Sequence, residues 1–273
     1  MLRLAIRSLC LLILLACQLA AQDGRGPNGS GALTLDAVTQ GKANIVDLSY
    51  PLNQQTNFWP GDDYEPFSLQ TIATLEKDGV LSKSMRLPEH IGTHIDAPNH
   101  FEPNQPDVAQ IKPEDLIGPG VMIDISPQAE VDPDYGLTLK DVQAWESAHG
   151  RIPDGAIVLL YTGWGRFWSR PERFQGRDTT GNLHFPSYTA ESASFLIQDR
   201  KARGLGVDTL SIDRGISKDF QVHHITNSAT RYGLENIAHL DQLPPHGFTL
   251  IVAPMKIEKG TGCPTRVFAI LPK

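Results

Sequence analysis

Residues 90–100 read His90-Ile91-Gly92-Thr93-His94-Ile95-Asp96-Ala97-Pro98-Asn99-His100. Three of the chain's nine histidines and one aspartate fall in these 11 residues. On a helix His90 and His94 would share a face, but Gly92 and Pro98 disfavour a regular helix. A tight loop is expected instead, in which Gly92 lets the backbone approach a ligand and Pro98 fixes the turn that returns His100. The rest of the chain must then supply a scaffold rigid enough to hold such a loop.

That scaffold is legible as short runs. Asn44–Leu48, Val121–Ile125, Ile157–Tyr161, Leu205–Val207, Phe248–Ala253 and Arg266–Leu271 are rich in β-branched and apolar residues and bounded by Gly or Pro, the pattern of strands. One helix is predicted from Thr138, with Asp141 placed for a capping box, Leu139, Val142 and Trp145 on one face, and Gly150 as its stop. A second is predicted from Thr189 to Gly204, with Ala193, Leu196 and Ile197 at helical spacing. Strands and helices mix without strict βαβ alternation, which predicts a compact single-domain α/β fold with a mixed sheet. Trp164–Phe185 has no clean period but carries Trp164, Phe167, Trp168 and Phe174, and is expected to be a functional loop or an oligomer arm.

The chain has 273 residues, 40% hydrophobic and 20% charged, the make-up of one globular domain with appendages. Its formal charge of -7 argues against nucleic-acid binding, which needs a basic face. Residues 1–21 combine Arg3 and Arg7, an apolar run from Leu9 to Ala16 and small residues at Ala16, Ala20 and Ala21, which reads as a signal peptide and implies export. Leu14-Leu15-Ala16-Cys17 also resembles a lipoprotein box, so membrane attachment is expected only if Cys17 is lipidated. Residues 22–43 read as a flexible entry segment, with the one glycosylation sequon at Asn28-Gly29-Ser30, and 44–273 as the domain. Cys263 is then the one thiol of the mature chain, so the domain folds without an internal disulfide.

Imidazole and carboxylate suit borderline divalent metals, and His90, His94 and Asp96 make a three-ligand site with an open position. His100 can stand just outside it and move a proton. Further on, His223, His224, Glu235, His239 and Asp241 form a second polar group. Periodicity alone cannot say which of these the fold brings to the first.

The motif His-x-Gly-Thr-His-x-Asp-Ala-Pro-x-His resembles the signature of the cyclase-like metal-dependent hydrolases, the family of bacterial kynurenine formamidase and isatin hydrolase. Trp59-Pro60-Gly61-Asp62, Asp208–Asp213, Asp219–His223 and Gly233–Ile237 resemble further blocks of that family, from about Ile45 to the C-terminus. The resemblance implies a compact β/α/β fold and a homodimer or higher homo-oligomer. It further implies that His90, His94 and Asp96 bind a divalent metal, Zn2+ or Mn2+, with one or two ions. Where two are held, Asp96 bridges and His223 and Glu235 complete the second site. His100 is implied as the catalytic acid/base and Trp59 as a substrate contact, although Trp59 can equally be an ordinary core residue. Ser187 departs from the glycine common after His-Phe-Pro in the family.

The expected reaction is hydrolysis of the C–N bond of an aryl formamide or cyclic amide, N-formylkynurenine-like or isatin-like, by metal-activated water. The alternatives are lyase or cyclase chemistry on the same metal, or a non-catalytic exported metal-binding protein. A nucleophile-based hydrolase is disfavoured because no Gly-x-Ser-x-Gly elbow occurs.

Overall fold

The computed structural model describes residues 35–61 and 63–273. The leader, Cys17 and the sequon lie outside them, and the described part of the entry segment holds a one-turn helix, Leu35–Thr39.

Among the described residues twelve strands form in chain order: β1 Ala43–Asp47, β2 Ser68–Ala73, β3 Ser82–Arg86, β4 His94–Asp96, β5 Ile117–Asp124, β6 Gly136–Leu137, β7 Ile157–Tyr161, β8 Ser187–Tyr188, β9 Gly204–Val207, β10 Tyr232–Glu235, β11 Phe248–Pro254 and β12 Gly262–Pro272. Eight of them make one sheet in the order β1-β12-β11-β5-β7-β9-β10-β4, and β4 also pairs with β12. That extra ladder closes seven strands into a barrel, from which β1 extends along β12. The β5, β7, β9 and β10 half is parallel and the β11, β12 and β4 half antiparallel. The sheet is mixed, as the sequence predicts; its closure was not legible there.

The long run Ile157–Tyr161 is apolar throughout because both faces of β7 are covered. Ile157 and Leu159 point into the barrel with Met122, Leu234, Leu250 and Val267. Val158 and Leu160 point outward into a second core with Val142, Trp145, Leu196 and Ile197. That outer layer rests on the predicted helix Leu139–His149, whose Thr138–Asp141 capping box and Gly150 terminus form as expected. The second helix is also capped at Thr189, but after Ala190–Ser194 it widens into one π-turn, Phe195–Asp199, and ends well before Gly204.

Inside the barrel, large rings lie over glycines on the neighbouring strand. Phe248 pairs with Gly120 across β11 and β5, and Tyr232 with Gly204 across β10 and β9. A Cβ at Gly120 would lie 2.0 Å from the Phe248 ring, so the bare glycine is what admits the aromatic. Residues 164–185 are not a bare loop. Two short helices, Trp164–Phe167 and Pro171–Gln175, bury Trp164, Phe167, Phe174, Leu183 and Phe185 in a small core of their own with Leu210.

Gly120→Ala is expected to destabilise the fold by about 1–3 kcal/mol, the usual range for overpacking. The double variant with Phe248→Leu is expected to lose less than the two single losses added together. Urea midpoints at unchanged slope measure both; strict additivity would mean that the two side chains do not share this space.

Candidate metal centre

The signature segment is a turn, a strand and a second turn rather than the single loop the sequence suggests. Ile91 bridges to Phe58, Gly92 turns with φ +60°, His94–Asp96 forms β4, and Pro98–His100 makes one 3-10 turn. The role expected of Gly92 also changes. Its carbonyl accepts from His94 Nδ1 and from Asn236 Nδ2, both at 2.9 Å, so the left-handed backbone aims an acceptor at the imidazole. A Cβ there would lie 2.9 Å from Leu52 and 3.0 Å from Thr56.

Strand geometry then assembles the site. Alternation puts His94 and Asp96 on one face of β4 and sends Ile95 into the barrel. In the antiparallel β4–β10 ladder His94 stands directly opposite Glu235, and Asp96 opposite Gly233. Gly233 leaves room for the carboxylate, since its Cβ would lie 3.0 Å from Asp96 Oδ2. The helix Gln221–Ser228 covers this face and brings His223 down onto it.

The ligand atoms converge. His94 Nε2 lies 3.3 Å from Asp96 Oδ1 and 3.4 Å from Glu235 Oε2. His223 Nε2 lies 3.4 Å from Asp96 Oδ2 and 3.3 Å from Glu235 Oε1. All four residues are buried. His94, Asp96 and Glu235 form one group whose ligand atoms all fall within 4.8 Å of one another, and His90, Asp96 and His100 form another. Asp96 belongs to both. His90 Nδ1 approaches Asp96 Oδ1 at 2.6 Å, and the His90 and His100 rings stack at 4.0 Å. Of the second polar group only His223 and Glu235 reach the site. His224 pairs at the surface with Glu102 at 2.7 Å, and the His239 ring packs by Tyr50 at 6.2 Å.

Two imidazoles are held from behind. His94 Nδ1 donates to Gly92 O, and His223 Nδ1 donates to Asp213 Oδ2 at 2.7 Å. Asp213 also accepts from the backbone of Val222 and His223, both at 3.0 Å, so one carboxylate anchors the start of the helix and orients its histidine. Glu235 is steadied by Ile212 N at 2.9 Å. Ser187, the departure from the family pattern, is fully buried, and its hydroxyl reaches Ser211 O and Ile212 O, gripping the same backbone.

Electrostatics follow from crowding. Burial alone would lower the His94 pKa, but Asp96 and Glu235 outweigh it and raise it to about 10. His223 is raised in the same way, against burial, by Asp213, Asp96 and Glu235. Burial would raise Asp96, yet His94, His223 and His90 hold it well below the usual carboxylate range. Burial lowers His100 to about 3, helped by the neighbouring imidazoles against Asp96.

Aromatic rings line the approach. Phe101 packs 4.3 Å from the His223 ring and 4.7 Å from His100, and Phe220 lies 5.3 Å from Phe101. Trp59 stands edge-on to Phe220 at 5.8 Å and lines a cleft of about 250 Å³ with Pro60, Leu183 and Lys218. Phe220 keeps a left-handed backbone, φ +47°, which is costly for a bulky residue and typical of sites where orientation matters. Trp164 and Trp168 serve packing instead: Trp164 Nε1 donates to Phe174 O at 2.7 Å, and Trp168 stacks on Tyr50 at 3.8 Å. Cys263 is buried with its thiol pushed up to about 11 by burial, which suits the inert role read from sequence. Asp213, Phe101 and Phe220 were missed in the sequence reading; the Asp213-to-Gln221 interval, a carboxylate ahead of a helix bearing a histidine, was the available signal.

Comparison with known proteins places this mixed α/β barrel in a family. The Cyclase family model matches residues 46–214, and the chain belongs to that family. It is 36% identical over 263 residues to isatin hydrolase of Roseibium aggregatum, covering 90% of this chain and 97% of that one. It is 29% identical over 222 residues to kynurenine formamidase of Bacillus cereus, covering 81% and 94%. Among solved structures, isatin hydrolase A from Labrenzia aggregata bound to benzyl benzoate superposes with a TM-score of 0.82 at 34% identity, covering 88% and 98%.

With His94 raised to about 10 from its ordinary 6.5, its stabilising charge is fully present below pH 6.5 and is lost as pH rises through about 10 in metal-free protein. A cation must displace that proton, so binding at pH 7 is expected to release protons and to strengthen as pH rises. Calorimetry in buffers of different ionisation enthalpy measures the release; heats independent of buffer would contradict this charge state.

Proposed function

We propose that this chain is a divalent-metal-dependent hydrolase of a cyclic aryl amide of the isatin kind, with aryl formamides as the neighbouring substrate class. His90, His94, Asp96, His223 and Glu235 would hold Zn2+ or Mn2+, both of which suit this donor set. The observation that carries the reading is that His94 Nε2 and Asp96 Oδ2 are buried without a hydrogen-bond partner. Native interiors rarely leave such atoms unpaired, and these two face His223 and Glu235 across gaps that a cation fits. Asp96, shared by both groups, would sit between the ions if two are held.

When bound, the ion would lower the pKa of coordinated water toward about 7 and polarise the carbonyl. The chain supplies the remainder. His100, which burial keeps neutral at working pH, would accept the proton of the attacking water and return it to the departing nitrogen, which is a poor leaving group without it. Phe101, Phe220 and Trp59 offer a run of ring faces and edges along which an aryl substrate can lie while water is displaced. The greater likeness to isatin hydrolase over nearly its full length favours the lactam over the formamide. We also infer, from the first 21 residues, that the protein is exported, and from the family that it works as a homo-oligomer.

Chelation is expected to abolish ring opening of isatin and readdition of zinc or manganese to restore it; full turnover by metal-free protein would defeat the proposal. His100→Ala should keep the bound metal but lose about 10²–10⁴ in kcat, whereas His94→Ala should lose the ion itself, as elemental analysis would show. Proton removal from the substrate without addition of water would redirect the reading to a lyase. Mass spectrometry of the mature N-terminus is expected to find cleavage near Ala20–Ala21; an intact leader would contradict export.

A further inference from the structure

His94 and His223 each have a visible partner behind the ring, and His90 has one too, contributed by a part of the chain 171 positions away. Thr261 Oγ1 lies 3.1 Å from His90 Nε2. The same hydroxyl lies 2.6 Å from Glu89 Oε2, and Thr261 N donates to that oxygen at 3.0 Å. A threonine hydroxyl has one hydrogen. The short contact with a carboxylate is the charge-assisted one, so that hydrogen goes to Glu89. Thr261 Oγ1 can then only accept from His90, which places a proton on His90 Nε2. Were the hydroxyl to donate to His90 instead, two acceptors would meet at 2.6 Å.

We propose that Thr261, with Glu89 behind it, is the positioning residue of His90: the pair fixes a ring proton on Nε2 and leaves Nδ1 as the nitrogen that faces a cation beside Asp96. His94 and His223 present the opposite nitrogen, Nε2, because Gly92 O and Asp213 occupy their Nδ1. The surrounding turn is shaped for this contact. A Cβ at Gly262 would lie 2.6 Å from His90 Cε1 and 2.5 Å from Ile95 O, and one at Gly260 would lie 3.1 Å from Glu89 Oε1. Thr261 O also receives Ala97 N at 2.8 Å, so the turn is tied to the chain just beyond Asp96. The backbone contacts of Thr261 do not depend on the hydroxyl, which makes the side chain separable from the fold.

The inference rests on the metal-site reading above, and the test keeps the two apart. In the full chain labelled with 15N-histidine, long-range proton–nitrogen spectra are expected to show His90 Nε2 protonated both without and with zinc, and Nδ1 without a proton in the zinc-loaded state. Thr261→Val keeps both backbone bonds and loses the acceptor; it should release the Nε2 preference and weaken zinc binding by about 10–100-fold, and Thr261→Ser should restore both. Glu89→Leu is the second variant: it removes the acceptor of the hydroxyl, freeing that hydrogen for His90, so it too should weaken zinc binding, whereas Glu89→Gln, whose amide oxygen can accept from both Thr261 N and Oγ1, should not. Unchanged nitrogen spectra and zinc affinity in Thr261→Val and Glu89→Leu, or a loaded wild-type His90 protonated on Nδ1, would overturn the assignment. Wild-type protein that shows the expected pattern and zinc affinity yet opens no amide supports the positioning role and sinks only the hydrolase reading.

Discussion

Two carboxylates and two imidazoles lie face to face in a place water does not reach, and the rest of the molecule is arranged around keeping them there. Removing Asp96 and Glu235 from water costs several kcal/mol each before any partner is counted. In the metal-free state that cost is offset by protons on His94 and His223. The same four groups, stripped of those protons, form a cage of net negative charge. The arrangement therefore has two ways of being neutralised, one with protons and one with a cation, and only the second leaves the chelating atoms free of hydrogen.

Such a cluster has to be held by elements that do not yield. The β4–β10 ladder sets His94 against Glu235 by register, not by side-chain preference. Register is in turn secured by the packed interior on the reverse of the same strands, where Ile95 and Leu234 are fully buried. The glycine-and-ring pairs at Gly120–Phe248 and Gly204–Tyr232 draw neighbouring strands around that interior. Outer-face chemistry and inner-face packing are thus properties of alternate residues on the same few strands. A substitution in one layer is felt in the other through the pleat.

Much of this was legible from sequence, and the parts that were not share a cause. The ligand types in His90–His100 stand side by side, so their chemistry could be read directly, and the apolar run Ile157–Tyr161 could be read as a strand because nothing interrupts it. The three-residue strand His94–Asp96 could not, since histidine and aspartate carry little strand preference and Gly92 and Pro98 flank it closely. His223 and Glu235 stood out as members of a second polar group but were singled out from it only through family resemblance, because which polar residues meet across a ladder depends on register. Thr261, Asp213 and Phe101 escaped notice for a related reason: each matters through one contact made by the folded chain, and threonine, aspartate and phenylalanine are common everywhere. Trp164 and Trp168 illustrate the converse, aromatic residues in an irregular stretch that look available for binding and instead build a local core.

The last strand has a further consequence. β12 pairs with β11 along one edge and with both β1 and β4 along the other, so the barrel is open until residues near the C-terminus arrive. Loops of this length close slowly, because the entropy of joining distant segments is lost before their contacts form. His94 and Asp96 gain their second ladder neighbour from Gly262–Pro264. Connectivity thus makes the closed barrel, and with it the full backbone setting of this cluster, depend on a strand drawn from late in the chain.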